Sequence, residues 1–504
     1  MLYQPRNVRE MWDTWFFHEN GVHYLFTLHK SVRCPSDRLW DGISLSTSTD
    51  GVHFEERGEI ISKRPDAEWL GTGSTWKVGD KYYLNFSECR AGVQSIFIAE
   101  SSDLLHWHVL DGSECRPDPR WYVDTAGGRW DCFWTVPLPD GGYTGYLTAI
   151  PREGPAGSNC ASVGRVVSDD GISWRAAPPP VLDWGDMPAL DVGEVGAVEY
   201  FGGRYHMMVG MGEERLGCRQ LWLGQGRQYG MYHFVADDPR GPFRPGNGTF
   251  RTLCAPGMMT YFSRFYGLPD AMLVCHQSCE LLNGRMSIYL APLKEARADG
   301  EEMRLAWWPG NERMLGPSRT CDLAALESVY AARGATWNVE AACESAVGES
   351  PAPAIPAPAL VAHPGNGGIV LRAAERFDSE AGAAIDVEFT LDPPRGRSGS
   401  FGIWLGLEGG GRFALLMESR GRTVLGRLGD GGDFTADYVA ELGAAPGAVH
   451  RARLLARRSL VELYMDDLLV QCYSLPRRAD GVFGVVLESA EIRAGRLALR
   501  PMDL

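Results

Sequence analysis

The sequence predicts an all-β protein, a five-bladed β-propeller followed by a C-terminal β-sandwich. Three observations predict it. First, a Gly turn followed by an aromatic-rich strand recurs five times, at Asn20–Tyr24, Gly79–Tyr83, Asp140–Tyr143, Gly202–Tyr205 and, more loosely, Gly267–Met272. Second, a strand that runs into a polar turn and then an aromatic follows most of these, at Ser46–Phe54, Ala99–Trp107 and Val167–Trp174, with weaker echoes at Ala236–Phe243 and near Ala291–Lys294. The two patterns together repeat about every 50 to 60 residues, and each unit has room for three or four short strands, which is the signature of propeller blades. Third, beyond Gly367 the pattern stays all-β but the blade repeat stops, and strands such as Ser400–Leu405, Arg412–Met417, Val449–Leu455, Ser459–Tyr464 and Gly481–Leu487 are divided by Gly, Asp and Arg turns, as in a sandwich.

The expected boundaries are a propeller over 1–315, a linker with some helical character over 316–365, and a sandwich over 366–504. Within the linker, 349–358 is too rich in Pro for a helix or a central strand and reads as an extended strap. In the repeated turns, Asp and Gly make the turn and the aromatic plugs the space between blades, so they speak for architecture and carry no chemistry.

Composition limits the partners. A formal charge of -15 disfavours nucleic acid and anionic membranes, which need clustered Lys and Arg, and leaves a neutral ligand as the better fit. No apolar run is long enough to span a bilayer, and the first strand pattern begins within about a dozen residues of the start, so a cytoplasmic protein is expected. Twelve Cys without a dense framework suit reduced thiols. Cys275-His276-Gln277-Ser278-Cys279 lacks a second half of a zinc site and reads as a packed strand, with His276 a weak contact for a channel ion; no metal and no cofactor are expected.

In a propeller the first strand of each blade lines the central channel. Blade one offers Asp13 within Trp12-Asp13-Thr14-Trp15, where a charge among aromatics is costly unless it is paired or working. Blade two offers Gly71–Trp76 without a carboxylate, blade three Arg129-Trp130-Asp131, and blade four Glu194 within Asp191–Glu199. Two Asp and one Glu in comparable places converge on one end of the channel. Three such carboxylates suit glycoside hydrolysis, where one protonates the leaving oxygen, one attacks or activates water, and one holds hydroxyls. Trp12, Trp15, Trp40, Trp76, Arg129 and Trp130 are the expected substrate contacts. Glu199, beside a turn and expected to be solvated, competes with Glu194 for the acid, and Asp124 and Asp191 are further neighbours to test.

Several of these stretches resemble known motifs. Trp12-Asp13-Thr14-Trp15 resembles the Trp-Asp-Ser/Thr-Trp nucleophile motif of glycoside hydrolase family 68. Arg129-Trp130-Asp131 is similar to a loosened Arg-Asp-Pro motif with one residue inserted and Cys132 in place of Pro, and Glu194-Val195 stands where Glu-Cys would fall. The stretch from Ala456 to Tyr464 is similar to the Asp-Arg-Ser-Ser-Val-Glu-Val-Phe segment of the family 32 sandwich. With Asp, Asp and Glu in that order, the chain resembles the clan of families 32 and 68, the invertases, inulinases, levanases and levansucrases, and is closest in architecture to family 32. The resemblance implies Asp13 as nucleophile, Asp131 as the transition-state stabiliser that binds ring hydroxyls, and Glu194 as general acid/base of a retaining β-fructofuranosidase. The Trp-Met-Asn-Asp-Pro-Asn-Gly box of family 32 is absent, which bears on fructose specificity more than on fold. Two other readings stay open: an inverting enzyme resembling family 43 and acting on arabinose or xylose, and a non-catalytic sugar-binding protein on the same fold. Carboxyl separation distinguishes retention, about 5 Å, from inversion, about 6.5 to 9.5 Å.

Overall fold

Period-two alternation runs through most of the chain, and the computed structural model is accordingly nearly all strand, with a propeller arrangement. It describes all residues except 1, 36–37, 154–161, 187–191, 213–227, 249, 257–258, 341–354, 356–357 and 366. Asp191 and most of the Pro-rich strap lie outside the described residues. Two units are distinguished, one of residues 1–279 with 287–311, the other of 280–286 with 312–504.

The first unit is built from antiparallel sheets in which most strands hydrogen-bond to a sequence neighbour. One sheet has the order β1 (Val8–Glu19), β2 (Val22–Ser31), β3 (Gly42–Ser48), β4 (Glu55–Ser62). The next contains β5 (Trp69–Val78), β6 (Lys81–Arg90), β7 (Val93–Ser101) and β8 (His108–Val109), and a third contains β9 (Trp130–Pro137), β10 (Tyr143–Ala149), β11 (Ser162–Ser168) and β12 (Arg175–Ala177). The fourth is β13 (Glu194–Phe201), β14 (Arg204–Gly212), β15 (Gln228–Ala236) and β16 (Arg244–Pro245), with β17 (Arg251–Pro256) also on β15. A last group holds β18 (Thr260–Gly267), β19 (Met272–Leu282), β20 (Arg285–Leu290), β21 (Lys294–Asp299) and β22 (Glu302–Trp307).

Four groups therefore stand as separate blade sheets, where five were expected. The fifth group is not a sheet of its own: its strands belong to a larger thirteen-stranded sheet, with β20 branching off β19. Its Gly turn was also the loosest of the five. The innermost strands β1, β5, β9, β13 and β18 nevertheless neighbour one another in a closed ring.

Between neighbouring sheets the apolar faces interlock. Trp15, Phe26, Leu45, Leu70, Leu84 and Phe97 form one core, and Trp76, Phe133, Tyr122, Trp130, Leu147 and Val166 the next. At roughly 25 cal/mol per Å2 of apolar area, each large ring buried this way is worth about 2–3 kcal/mol before chain entropy is subtracted.

The second unit holds two strand sets. One sheet runs, in spatial order, Glu327–Ala331, Gly368–Arg376, Ala479–Glu488, Ser400–Leu407, Arg412–Glu418, Arg422–Leu428 and Phe434–Ala440. The other runs Leu468–Ser474, Leu460–Met465, His450–Arg457, Ala383–Asp392, Glu491–Pro501, Ala359–His363 and Thr336–Glu340. Among the described residues, helical geometry is confined to two short 3-10 turns, Pro309–Met314 and Leu323–Ala325.

Candidate active site

Every innermost strand carries one extra residue against its partner, and at the same level. Between Met11 and Thr14 three steps of β1 face two of β2, and between Gly71 and Ser74 the same holds for β5 against β6. The extra residue lies between Asp131 and Trp134 in β9, between Val195 and Ala197 in β13, and between Tyr261 and Arg264 in β18. A β-bulge re-aims side chains that strict alternation would send to one sheet face or the other. Asp13 and Thr72 lie within these bulges, and Asp131 and Arg264 are the paired residues at the edge of theirs. Two of the bulges need glycine: a Cβ on Gly73 would sit 1.7 Å from the Asn85 carbonyl oxygen, and one on Gly196 would sit 2.4 Å from that of Ser263.

The three carboxylates meet. Asp13 is 2% exposed; Thr72 Oγ1 donates to its Oδ2, and Gln277 Nε2 donates to its Oδ1 at 3.0 Å. Asp131 accepts from Gln94 Nε2 at 3.0 Å and from Arg129 Nη2 at 3.0 and 3.1 Å. The same Arg129 nitrogen donates to Glu194 Oε1 at 2.8 Å, and Tyr261 donates its hydroxyl to Glu194 Oε2. One guanidinium nitrogen thus ties carboxylates from two blades together. Asp13 in turn interacts electrostatically with both Glu194 and Asp131.

Burial pushes the Asp13 carboxyl up to about 8, and the nearby charge of Glu194 adds to the rise. Burial also raises Glu194, against the pull of Arg129. Arg129 stays firmly protonated, since Asp131 and Glu194 outweigh the cost of its burial. Like charges in a dry pocket share protons, so the group can hold one proton ready for transfer at neutral pH.

The aromatic and remaining expected contacts divide. Trp12 is half-buried and stacks on Trp40 at 4.8 Å with an interplanar angle of 17°, and Lys30 lies over Trp40 at 4.9 Å. Trp15, Trp76 and Trp130 are buried instead: their Nε1 atoms donate to Thr75 Oγ1 (3.0 Å), the Gly171 carbonyl (2.9 Å) and the Cys115 carbonyl (3.1 Å). These three close the gaps between blades, and a fully packed ring has no face left for a sugar.

Glu199 is corrected from solvated to half-buried. It accepts from Trp134 Nε1 at 3.2 Å, and burial pushes it up to about 7. It stands five residues along β13 from Glu194, a strand distance of about 16 Å. Asp124 pairs with Arg152 at 2.8 Å and takes no part in the cluster. Cys275 donates to the Thr14 carbonyl at 3.8 Å, and His276 Nδ1 lies 2.9 Å from the Gln277 carbonyl, both as strand residues.

Sequence reasoning missed Thr72, Gln94, Tyr261, Arg264 and Gln277. Each is an unremarkable strand residue in sequence, and only the bulges and the ring closure bring it to the acids.

No family model matches the chain, and no curated protein does. Solved structures do. The sucrose-6-phosphate hydrolase from Lactobacillus gasseri is similar with a TM-score of 0.66 at 12% identity, over 99% of this chain and 92% of that one. Fructan 1-exohydrolase IIa from Cichorium intybus gives 0.63 at 13% identity, over 98% and 96%, and the exo-inulinase from Aspergillus awamori 0.61 at 14%, over 99% and 97%. Likeness at this identity speaks for fold, and it runs almost end to end through both chains of each pair: the chain has the architecture of glycoside hydrolase family 32.

Proposed function

We propose that the protein is a glycoside hydrolase that cleaves β-fructofuranosides with retention of configuration. One observation carries the reading: Asp131 and Glu194, from two inner strands, are bridged by Arg129, and Asp13, buried on a third, interacts electrostatically with both. The solved structures of like fold include enzymes named for sucrose-6-phosphate, inulin and fructan, and this supports a fructosyl group as the one transferred. In the first step an Asp13 oxygen attacks the anomeric carbon, the glycosidic C–O bond breaks, and Glu194 gives its proton to the leaving oxygen. In the second step Glu194 takes a proton from water as that water attacks the same carbon, and the bond to Asp13 breaks. Asp131, tied to Arg129 and Gln94, holds ring hydroxyls, and Trp12 with Trp40 and Arg129 flank the substrate. No cofactor enters these steps.

The bare guanidinium bridge matters for the acid. Arg129 and the Tyr261 hydroxyl favour a charged Glu194, whereas the reaction needs it protonated at the start. A bound sugar that draws Arg129 toward its own hydroxyls would release the proton-holding state, so substrate binding and acid priming are coupled.

We also assign residues 1–315 to a catalytic propeller domain, a reading supported by the closed ring of its inner strands β1, β5, β9, β13 and β18. A β-sandwich over 366–504 is supported by the Phe389–Phe401 ring stack at 4.3 Å across its two strand sets; of the expected linker 316–365, Glu327–Ala331, Thr336–Glu340 and Ala359–His363 are strands of those same sets.

The test is hydrolysis of sucrose, 1-kestose, inulin and levan, with the anomer of released fructose followed by NMR. Asp13→Asn and Glu194→Gln are each expected to lower kcat/KM by roughly 10^3-fold or more, the scale of losing a nucleophile or acid. Inverted product would move the reading to the family 43-like enzyme, and sugar binding by Glu194→Gln and wild type alike with no turnover in either would mean a binding protein.

A further inference from the structure

Arg264 violates a packing rule. It lies on β18 immediately after the bulge, with no exposed surface, and none of its Nε, Nη1 and Nη2 atoms has a hydrogen-bond partner among the described residues. Its guanidinium rests against the ring of Phe262 at 4.6 Å and that of Trp134 at 5.3 Å. Phe262 itself takes a positive φ of 44° to make this turn. A buried cation whose donors are unused is strongly unfavourable for folding, and a chain tolerates such a group where function requires it.

The groups facing Arg264 identify the requirement. Asp13 on β1, Glu194 on β13, the Cys132 thiol on β9 and the Cys275 thiol on β19 all interact with its charge. Burial raises both thiols, so they stay neutral, and Asp13 and Glu194 are the partners able to answer a positive charge. Around those two acids the other titratable neighbours are Asp131, Arg129, Tyr261 and the Cys279 thiol. Arg129 is the second cation of the cluster, but its hydrogen bonds go to Asp131 and Glu194, with none to Asp13.

We propose that Arg264 is a positioning residue for the reaction: it favours negative charge on Asp13 and the Asp13–Glu194 pair, so that the nucleophile ionises more readily in a pocket that otherwise favours neutral carboxyls. This rests on the fructosidase reading for its role in turnover. Its electrostatic content does not. Arg264 touches no reacting atom and acts through the two carboxyls alone.

Two variants of the full chain test it. Arg264→Met keeps the bulk and removes the charge; Arg264→Lys keeps the charge. In Arg264→Met both limbs of the kcat/KM profile on the best fructoside should move to higher pH by about one unit, the usual effect of losing a nearby opposite charge, with a loss of roughly tenfold on the acid side. Arg264→Lys should fall between Met and wild type. The thermal midpoint of Arg264→Met should equal or exceed that of wild type at pH 5, and this advantage should shrink toward pH 9, where the acids ionise and miss their cation. A packing residue behaves in the opposite way: a Met variant that loses its midpoint or fails to fold, or keeps an unmoved profile, overturns the proposal. A chain inactive on every fructoside would end the proposed function while the pH-dependent midpoint difference still decides this inference, and a difference flat from pH 5 to 9 ends it.

Discussion

Asp13 is pulled two ways. Thr72, Gln277 and Arg264 favour its charge, yet burial and the charge of Glu194 dominate and push its carboxyl up to about 8. The consequence for stability has a definite sign. A group whose pKa is higher folded than unfolded contributes stability below its unfolded value, near 4 for Asp, and loses it as pH rises toward the folded value. Asp13→Asn removes the group that must be charged in a dry site. It should therefore be more stable than wild type at pH 8, on the order of 1–3 kcal/mol, and no more stable at pH 4. Urea unfolding at the two pH values checks this, and equal stability at pH 8 would mean that the pocket hydrates Asp13. Asp13 stood out in the sequence as a charge between Trp12 and Trp15, although Asp also caps strands and starts turns, and it was the return of carboxylates in comparable places of other repeats that singled it out. Its donors were not legible: Thr72 and Gln277 look like ordinary alternating residues, and a bulge that shifts alternation by one leaves no mark in composition. The tryptophans were misjudged for a related reason, since a ring that stacks on sugar and a ring that seals two blades have the same sequence neighbourhood.

At the next scale, one turn is built three times. Ser48, Ser101 and Ser168 accept through Oγ from the backbone N–H of Gly51, Leu104 and Gly171, while Asp50, Asp103 and Asp170 accept from the amides two and three residues further on. The central residue has a positive φ in each, 77°, 65° and 76°, which is why two of the three are glycine. Burial acts to raise Asp170, but its hydrogen bonds hold it well below the usual carboxylate range. Asp170→Ala leaves the Ile172 and Ser173 amides without their acceptor and should cost about 1–2 kcal/mol by chemical denaturation, with kcat/KM unchanged. These turns were legible as architecture because the Ser-x-Asp spacing is local. The β14–β15 pair holds a device that was not. His206 Nδ1 and His233 Nε2 lie 2.8 Å apart in stacked rings, and burial lowers them to about 4 and about 3. Both bind fewer protons folded than unfolded, so stability must fall as pH drops from about 6.5 toward 4. His233→Leu should flatten that slope even where it weakens the protein at pH 7; a slope identical to wild type would exclude the pair as its source.

For the whole molecule, the repeat of turn and aromatic strand made a propeller legible, while the number of separate sheets was not, since strand pairing beyond a repeat leaves no mark in local sequence. Charge is the property that belongs to the molecule entire. At -15, with a pI near 5.3, the field around the chain repels anions at a distance, and the cations closest to the candidate site are committed, Arg129 to Asp131 and Glu194, and Arg264 to burial. A neutral fructoside feels none of this field. A phosphorylated one, such as the Lactobacillus gasseri enzyme is named for, approaches against it. With added salt the Debye length falls from about 10 Å at 0.1 M to about 3 Å at 1 M, so long-range repulsion is screened while short hydrogen bonds are kept. The kcat/KM for sucrose should therefore stay within about twofold across that range, and that for sucrose-6-phosphate should begin lower and climb with salt. Initial rates on both substrates at low concentration measure it directly. A phosphosugar that is preferred at low salt and loses its advantage as salt rises would mean that a local patch of positive potential at the mouth outweighs the net charge, and the substrate class would change with it.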